Sequence, residues 1–228
     1  RARVEDYEQA FAAKFGASEA VAFPYGRSAQ WAFLRATGVN AAEVLMPAYT
    51  CSVVAHAVVL SGNLPKFVDI SLDDYNPTAQ AVHDSIGPRT RAVVATHTFG
   101  YPQDVNEIER AVGEAESRYG HKIWMIQDCA HAFGAEHKGR MVAQVGDVAL
   151  FGLNISKIAN SIFGGMLTFQ DSDLAATVRR WRDHNLRRSG VARELRHRIY
   201  ALAACASLTR PVFGLTQVLQ TRTPLLDR

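Results

Sequence analysis

Seven short apolar runs recur along the chain: "AVAF" (20–23), "EVLMP" (43–47), "KFVDI" (66–70), "RAVVATHTF" (91–99), "KIWMIQD" (122–128), "DVALFGL" (147–153) and "GMLTF" (165–169). None alternates cleanly between apolar and polar residues, so none suits a sheet with one face in water. Each reads as a strand buried on both faces, and such strands belong to a mostly parallel sheet covered by helices. Helical patterns fill the gaps at 28–37, 50–61, 103–119 and 172–185. The alternation predicts an open α/β sheet of about seven strands with helices on both faces, whose ligands bind beyond the carboxyl ends of the strands.

Composition narrows the function classes. Hydrophobic residues make up 48% and charged residues 21% of 228, which is ordinary for a soluble domain with a sizeable core. A net charge of +3 does not point to nucleic acid. The three cysteines, Cys51, Cys129 and Cys205, are odd in number and widely spaced, so neither a disulfide framework nor a metal site is expected. That usage fits a reducing cytoplasm. No secretory leader opens the sequence and no run is long enough to span a bilayer. The chain opens on Arg1 and not on Met, consistent with a piece of a longer protein.

If ligands bind beyond the strand ends, the residues there carry the chemistry. They are "PYGRSA" (24–29), "PAYTCS" (47–52), "HTFGYPQD" (97–104), "DCAHAFGA" (128–135) and "NISK" (154–157). Each piece has a plain structural reading: Asp128 as a turn cap, His131 as a satisfied histidine, Gly26-Arg27-Ser28 as a helix entry, Tyr49 as core, Lys157 as a solvated loop cation. Together they match the needs of pyridoxal phosphate. That cofactor takes an amine for its aldehyde (Lys157), an acid at its pyridine nitrogen (Asp128), a group at its ring hydroxyl or ring face (His131), and a helix N-terminus for its phosphate (Gly26, Arg27, Ser28).

The order of the pieces resembles the DegT/DnrJ/EryC1/StrS family of sugar aminotransferases, from about Tyr7 to Asn185. The most specific block is "DCAHAFGAEHKGRMVAQVGD" (128–147), followed by Lys157 and then Gly164-Gly165. The resemblance implies the large domain of a fold type I pyridoxal-phosphate enzyme, with a mixed sheet. It makes Lys157 the Schiff-base lysine, Asp128 the acid at the pyridine nitrogen, and His131 the residue near the ring hydroxyl. Arg27 and Ser28 fall in the phosphate-holding stretch. It also implies a homodimer with a shared active site, in which Asn185 falls near a segment that reaches the partner's cofactor.

Two positions depart from the family pattern. Cys51 stands where an aromatic residue commonly covers the ring, a role that Tyr49 would take over. Gly152 stands where a serine commonly contacts the phosphate, with Asn154 or Ser156 as substitutes.

Residues 1–185 are read as the cofactor-binding domain, and 186–228 as the start of a small C-terminal domain. Between Arg179 and Arg198 eight arginines face two acids. They form either a solvated basic face or a clamp on the diphosphate of a nucleotide-linked sugar. The expected activity is transfer of an amino group from an amino acid, by resemblance glutamate, to a keto sugar. Two other readings remain: a pyridoxal-phosphate-dependent deoxysugar dehydratase, in which a histidine replaces the lysine, and a non-catalytic cofactor-binding relative. A nicotinamide-binding domain ranks below these, since no Gly-x-Gly-x-x-Gly follows the first strand.

Overall fold

The computed structural model describes residues 2–187, 190–207, 209 and 212–214, and divides into two compact units, Arg1–Asn185 and Leu186–Arg228. In the first unit the elements follow in the order α1 (Ala2–Lys14), β1 (Glu19–Phe23), α2 (Gly26–Ala36), β2 (Glu43–Pro47), α3 (Ser52–Leu60), β3 (Leu64–Val68), α4 (Ala79–Ser85), β4 (Thr90–Thr96), α5 (Val105–Tyr119), β5 (Trp124–Asp128), the short hairpin β6 (Glu136–His137) and β7 (Arg140–Met141), β8 (Val148–Gly152), β9 (Gly165–Phe169) and α6 (Ser172–Asn185). The second unit contains α7 (Val191–Ser207).

All seven apolar runs become strands of one sheet, in the order β1-β9-β8-β5-β4-β2-β3. Only β9 runs against its neighbours; β8, β5, β4, β2 and β3 pair in parallel. The sheet is therefore mixed but mostly parallel.

Side-chain parity along the strands sorts the helices onto two faces. Leu45, Val93, Met125, Ala149 and Phe151 point to the face covered by α1, α4 and α5, where Phe11 packs edge-on and Phe15 tilted against Phe151, with ring centroids at 5.0 and 4.4 Å. The opposite face takes α2, α3 and α6. There Phe33 packs edge-on against Trp124 at 5.7 Å, and Trp31 meets Trp181 at 4.9 Å. Helix α1 escapes the sequence reading although Tyr7, Phe11 and Phe15 recur at four-residue spacing.

Three expectations need correction. The run 66–70 was expected to be buried on both faces, but β3 covers 64–68 and is the sheet edge. Phe67 is 54% exposed there, and Pro65, which has no N–H to give a ladder, suits an edge. The run 91–99 stops being a strand at Thr96, because His97 is diverted into a buried network. Its Nδ1 accepts from the Gln103 N–H at 3.1 Å, and its Nε2 lies 2.9 Å from Gln127 Oε1. Finally, two of the arginines read as either a solvated basic face or a diphosphate clamp are structural. Arg182 pairs with the buried Glu8 at 2.6 Å and Arg179 pairs with Glu19 at 2.8 Å, and each also donates to a carbonyl of β1.

Backbone contact, more than side-chain packing, joins α2 to the sheet. A Cβ on Gly165 would lie 2.4 to 2.5 Å from Tyr25 and Gly26 backbone atoms, and one on Gly26 would lie 3.3 Å from the Gly152 Cα. Gly165→Ala is expected to destabilise the fold by about 3 kcal/mol, whereas Gly113→Ala on the open side of α5 gains up to about 1 kcal/mol; urea titration of both variants measures the contrast.

Burial also holds the His97 imidazole neutral, lowering its pKa from 6.5 to about 4. The unfolded chain takes up this proton below pH 6.5 and the folded chain only near pH 4. Stability therefore falls with pH across that window, by about 3 kcal/mol in full. Denaturant midpoints measured from pH 7 to 4 should show this slope, and His97→Gln should flatten it.

Candidate functional site

The carboxyl ends of β1, β4, β5 and β8 and the start of β9 meet at one edge of the sheet, because Phe23 and Gly152 both pair with Gly165 while Asp128 pairs with Thr96 and Leu150. Asp128 closes β5 there and is 5% exposed. Its Oδ1 accepts from the Ala130 N–H at 3.1 Å, and Thr96 Oγ1 lies 3.5 Å from Oδ2. Burial pushes its carboxyl above the usual range, against the opposing pull of the Ala130 N–H, the Lys157 ammonium and His131. Two hydrogen bonds leave acceptor capacity on a carboxylate able to take about four.

Lys157 reaches this edge from the loop between β8 and β9. The base of the loop is closed by Leu153 N–H donating to Gly164 O at 3.0 Å and by Ser161 N–H donating to Leu153 O at 2.9 Å. Gly164 sits at φ 153°, and a Cβ there would strike Ser161 Oγ at 2.6 Å. Within the loop, Asn154 Oδ1 accepts from both the N–H and the hydroxyl of Ser156, at 3.1 and 2.7 Å, and the Lys157 N–H donates to Asn154 O at 3.0 Å. This turn aims the lysine back over the strand end. A Cβ placed on Gly152 would lie 3.8 Å from Lys157 Cε and 3.5 Å from Ala130 Cβ. Gly152 is thus the floor beneath the lysine stem and the neighbour of Gly26.

His131 is exposed, and its ring lies parallel to Phe99 with centroids 6.3 Å apart. Partial burial and the Lys157 charge lower its pKa, with Asp128 opposing them. Phe99 continues into an aromatic row with Tyr49 at 6.0 Å and Tyr75 at 6.1 Å. Phe99 and Tyr75 have left-handed backbones, φ 54° and 61°, an uncommon state for bulky residues. Sequence reasoning missed both. The Gly100 and Pro102 that follow Phe99 were the available sign that a turn, not a strand, occupies this position.

The remaining candidates divide. Gly26 opens α2 beside Gly152. Ser28 is engaged locally: its hydroxyl accepts from the Tyr25 N–H at 3.1 Å and donates to Tyr25 O at 2.8 Å. Arg27 is exposed and lies 5.0 Å above the Tyr25 ring. Cys51 is exposed at the entry to α3. Tyr49 is 48% exposed rather than core. Asn154 is committed to its turn. Asn185 ends α6, donating to Trp181 O at 2.9 Å. Among the described residues no cluster of His, Cys, Asp and Glu could hold a metal ion.

The comparisons identify the family and the fold. A model of the DegT/DnrJ/EryC1/StrS aminotransferase family matches residues 2–209. GDP-perosamine synthase of Caulobacter vibrioides is 33% identical over 177 residues, 77% of this chain and 46% of that protein. The spore coat polysaccharide biosynthesis protein SpsC of Bacillus subtilis is 33% identical over 178 residues, 78% of this chain and 44% of that protein. Among solved structures, the sugar aminotransferase CalS13 of Micromonospora echinospora superposes with a TM-score of 0.74 at 28% identity, over 78% of this chain and 49% of that one. The chain thus spans less than half the length of these curated relatives. With the model matched across almost all of its length, the chain belongs to the DegT/DnrJ/EryC1/StrS aminotransferase family.

Proposed function

We propose that this chain is the cofactor-holding part of a pyridoxal-phosphate-dependent transaminase that moves an amino group from an amino acid, glutamate by family resemblance, to a nucleotide-linked keto sugar. The observation that carries the reading is the convergence of Lys157, the buried Asp128 and the first turn of α2 on one sheet edge. The relatives named for perosamine synthesis and spore coat polysaccharide support the substrate class.

The residues fit the cofactor. Asp128 is a buried carboxylate with unused acceptor sites, and burial without a full cationic partner is what raises its pKa. A pyridinium N–H supplies that partner. The first turn of α2 leaves backbone N–H groups without intrahelical acceptors, which suits a phosphate. Gly26, Gly152 and Gly165 keep side chains out of the floor beneath that turn. When bound, pyridoxal phosphate supplies an aldehyde that takes up an amine and a cationic ring that withdraws electrons from the attached carbon.

Each residue then has a defined task. Asp128 holds the ring N–H in its protonated form. Lys157 would hold the cofactor's aldehyde carbon and, once displaced by the donor's amine, would take the proton from the donor's α carbon and deliver it to that former aldehyde carbon. His131 hydrogen-bonds or covers the ring, backed by Phe99. Keto-sugar amination reuses these steps in reverse. Lys157 favours transfer over water loss, since by family resemblance the deoxysugar dehydratases carry a histidine in its place. The domain reading follows: residues 1–185 form the cofactor domain, 186–228 lead toward a further domain, and a homodimer sharing its site works in the cytoplasm.

Incubation with pyridoxal phosphate, borohydride reduction and peptide mass mapping should place a single adduct on Lys157; scattered adducts would overturn the assignment. Lys157→Ala should lose the adduct and slow the donor half-reaction by about 10²–10⁴-fold. Asp128→Asn, which retains volume but cannot hold a cation, should slow it by about 10²-fold or more, with a shifted visible absorption band as an independent sign of altered ring protonation.

A further inference from the structure

Helix α7 carries a pattern that transamination does not use. Leu195, Ile199, Leu202 and Ala206 recur at i, i+4, i+7 and i+11, so they form one stripe. Among the described residues this stripe is exposed: Leu195 is 57%, Ile199 59% and Leu202 72% exposed, and Ala206 is exposed as well. The opposite side of the same turns carries Ala201, Ala204 and Ser207, which are half-buried. Ala203, Cys205 and, off the stripe, Tyr200 are exposed as well, so none of the described side chains of α7 is fully buried and its large aliphatic residues stand in the open, unlike those of a helix packed to fill a core.

Charge frames the stripe. Arg196 and Arg198 are exposed and fall on its two flanks, one on each side. Between Leu186 and Arg198 the sequence holds five arginines and one histidine against the single acid Glu194. No helix among the described residues is long and apolar enough to cross a membrane. An aliphatic stripe bordered by long cationic side chains is the form of a helix that lies in a bilayer interface, with its stripe among acyl chains and its guanidinium groups at lipid phosphates.

We propose that α7 is a peripheral docking helix for an anionic lipid surface. A second copy of the chain fits less well, because pairing two such stripes would bring flanking arginines against flanking arginines. A nucleotide diphosphate would engage the arginines but leave the aliphatic stripe in water.

The test uses the full chain with phosphatidylcholine vesicles, with and without phosphatidylglycerol, in a sedimentation assay. Binding is expected to the phosphatidylglycerol vesicles and to fall steeply with salt. Arg196→Gln and Arg198→Gln should each weaken it about five-fold, and Leu202→Ser should weaken it without altering the salt slope. These surface substitutions should leave the circular dichroism spectrum and the Lys157 adduct unchanged. Absence of binding to either vesicle would overturn the proposal. So would equal binding by the arginine variants, or a change of oligomeric state in Leu202→Ser with vesicle binding intact, which would assign the stripe to a second copy.

Discussion

The first turn of α2 rests on bare backbone, and the candidate site follows from that contact. Three glycines, Gly26, Gly152 and Gly165, bring no Cβ of their own to the junction, so the helix start is held against the end of β8 and the start of β9 instead of a side chain's length away. A helix N-terminus is useful to an anion only where its N–H groups open onto the ligand. The start of α2 lies beside Gly152, at the edge that holds Asp128 and Lys157. The same junction places Gly152 directly under the lysine stem. The sheet, the first turn of α2 and the amine are therefore set by one piece of close packing, and displacement of any glycine disturbs all three.

The reversal of β9 has an equally direct consequence. Had β9 run parallel to β8, the connection would have needed a crossover back to the other edge of the sheet. Because β9 is antiparallel to β8, the chain turns around at the carboxyl edge and the loop 153–164 stays there. Its base is pinned by the Leu153–Gly164 and Ser161–Leu153 hydrogen bonds, while the Asn154 turn shapes its tip. Lys157 is thus carried by a loop that has both ends in the core. A flexible side chain gains a fixed origin in this way, and less conformational freedom must be surrendered when it reacts.

Much of this was legible in the residues. The strands announced themselves because burial on both faces demands near-continuous apolar runs, and six of the seven lie within two residues of their expected limits at both ends. The exceptions are instructive. β3 carries an apolar run but sits at an edge, since a run records side-chain type and not position in the sheet. The 91–99 run was overextended because His97 and Thr98 are buried, and burial in a polar turn looks like burial in a strand. At the site, Lys157, Asp128 and Gly26 were readable from their places at strand ends. Ser28 and Asn154 were readable as polar but not as already engaged, since local turns that consume a side chain leave no signature distinct from a free one. Phe99 and Tyr75 were not readable at all: nothing in a single sequence marks a bulky residue that will adopt a left-handed backbone.

The electrostatics of Asp128 connect fold to chemistry. A carboxyl at the end of a central strand is stripped of water by the packing that makes the sheet stable, and its pKa rises for that reason. Lys157 and His131 oppose the rise through space, and no hydrogen bond among the described residues joins either side chain to the acid. The carboxyl is therefore left incompletely compensated. Stability alone would favour an apolar residue here, because burying a charge without a close partner costs more than it returns. A cation that arrives with its own N–H relieves this cost, and the relief is available only to a ligand that reaches the end of β5. Under the proposed function, the feature that weakens the fold locally is the one that selects a cationic ring, and not the lysine, as the acid's partner.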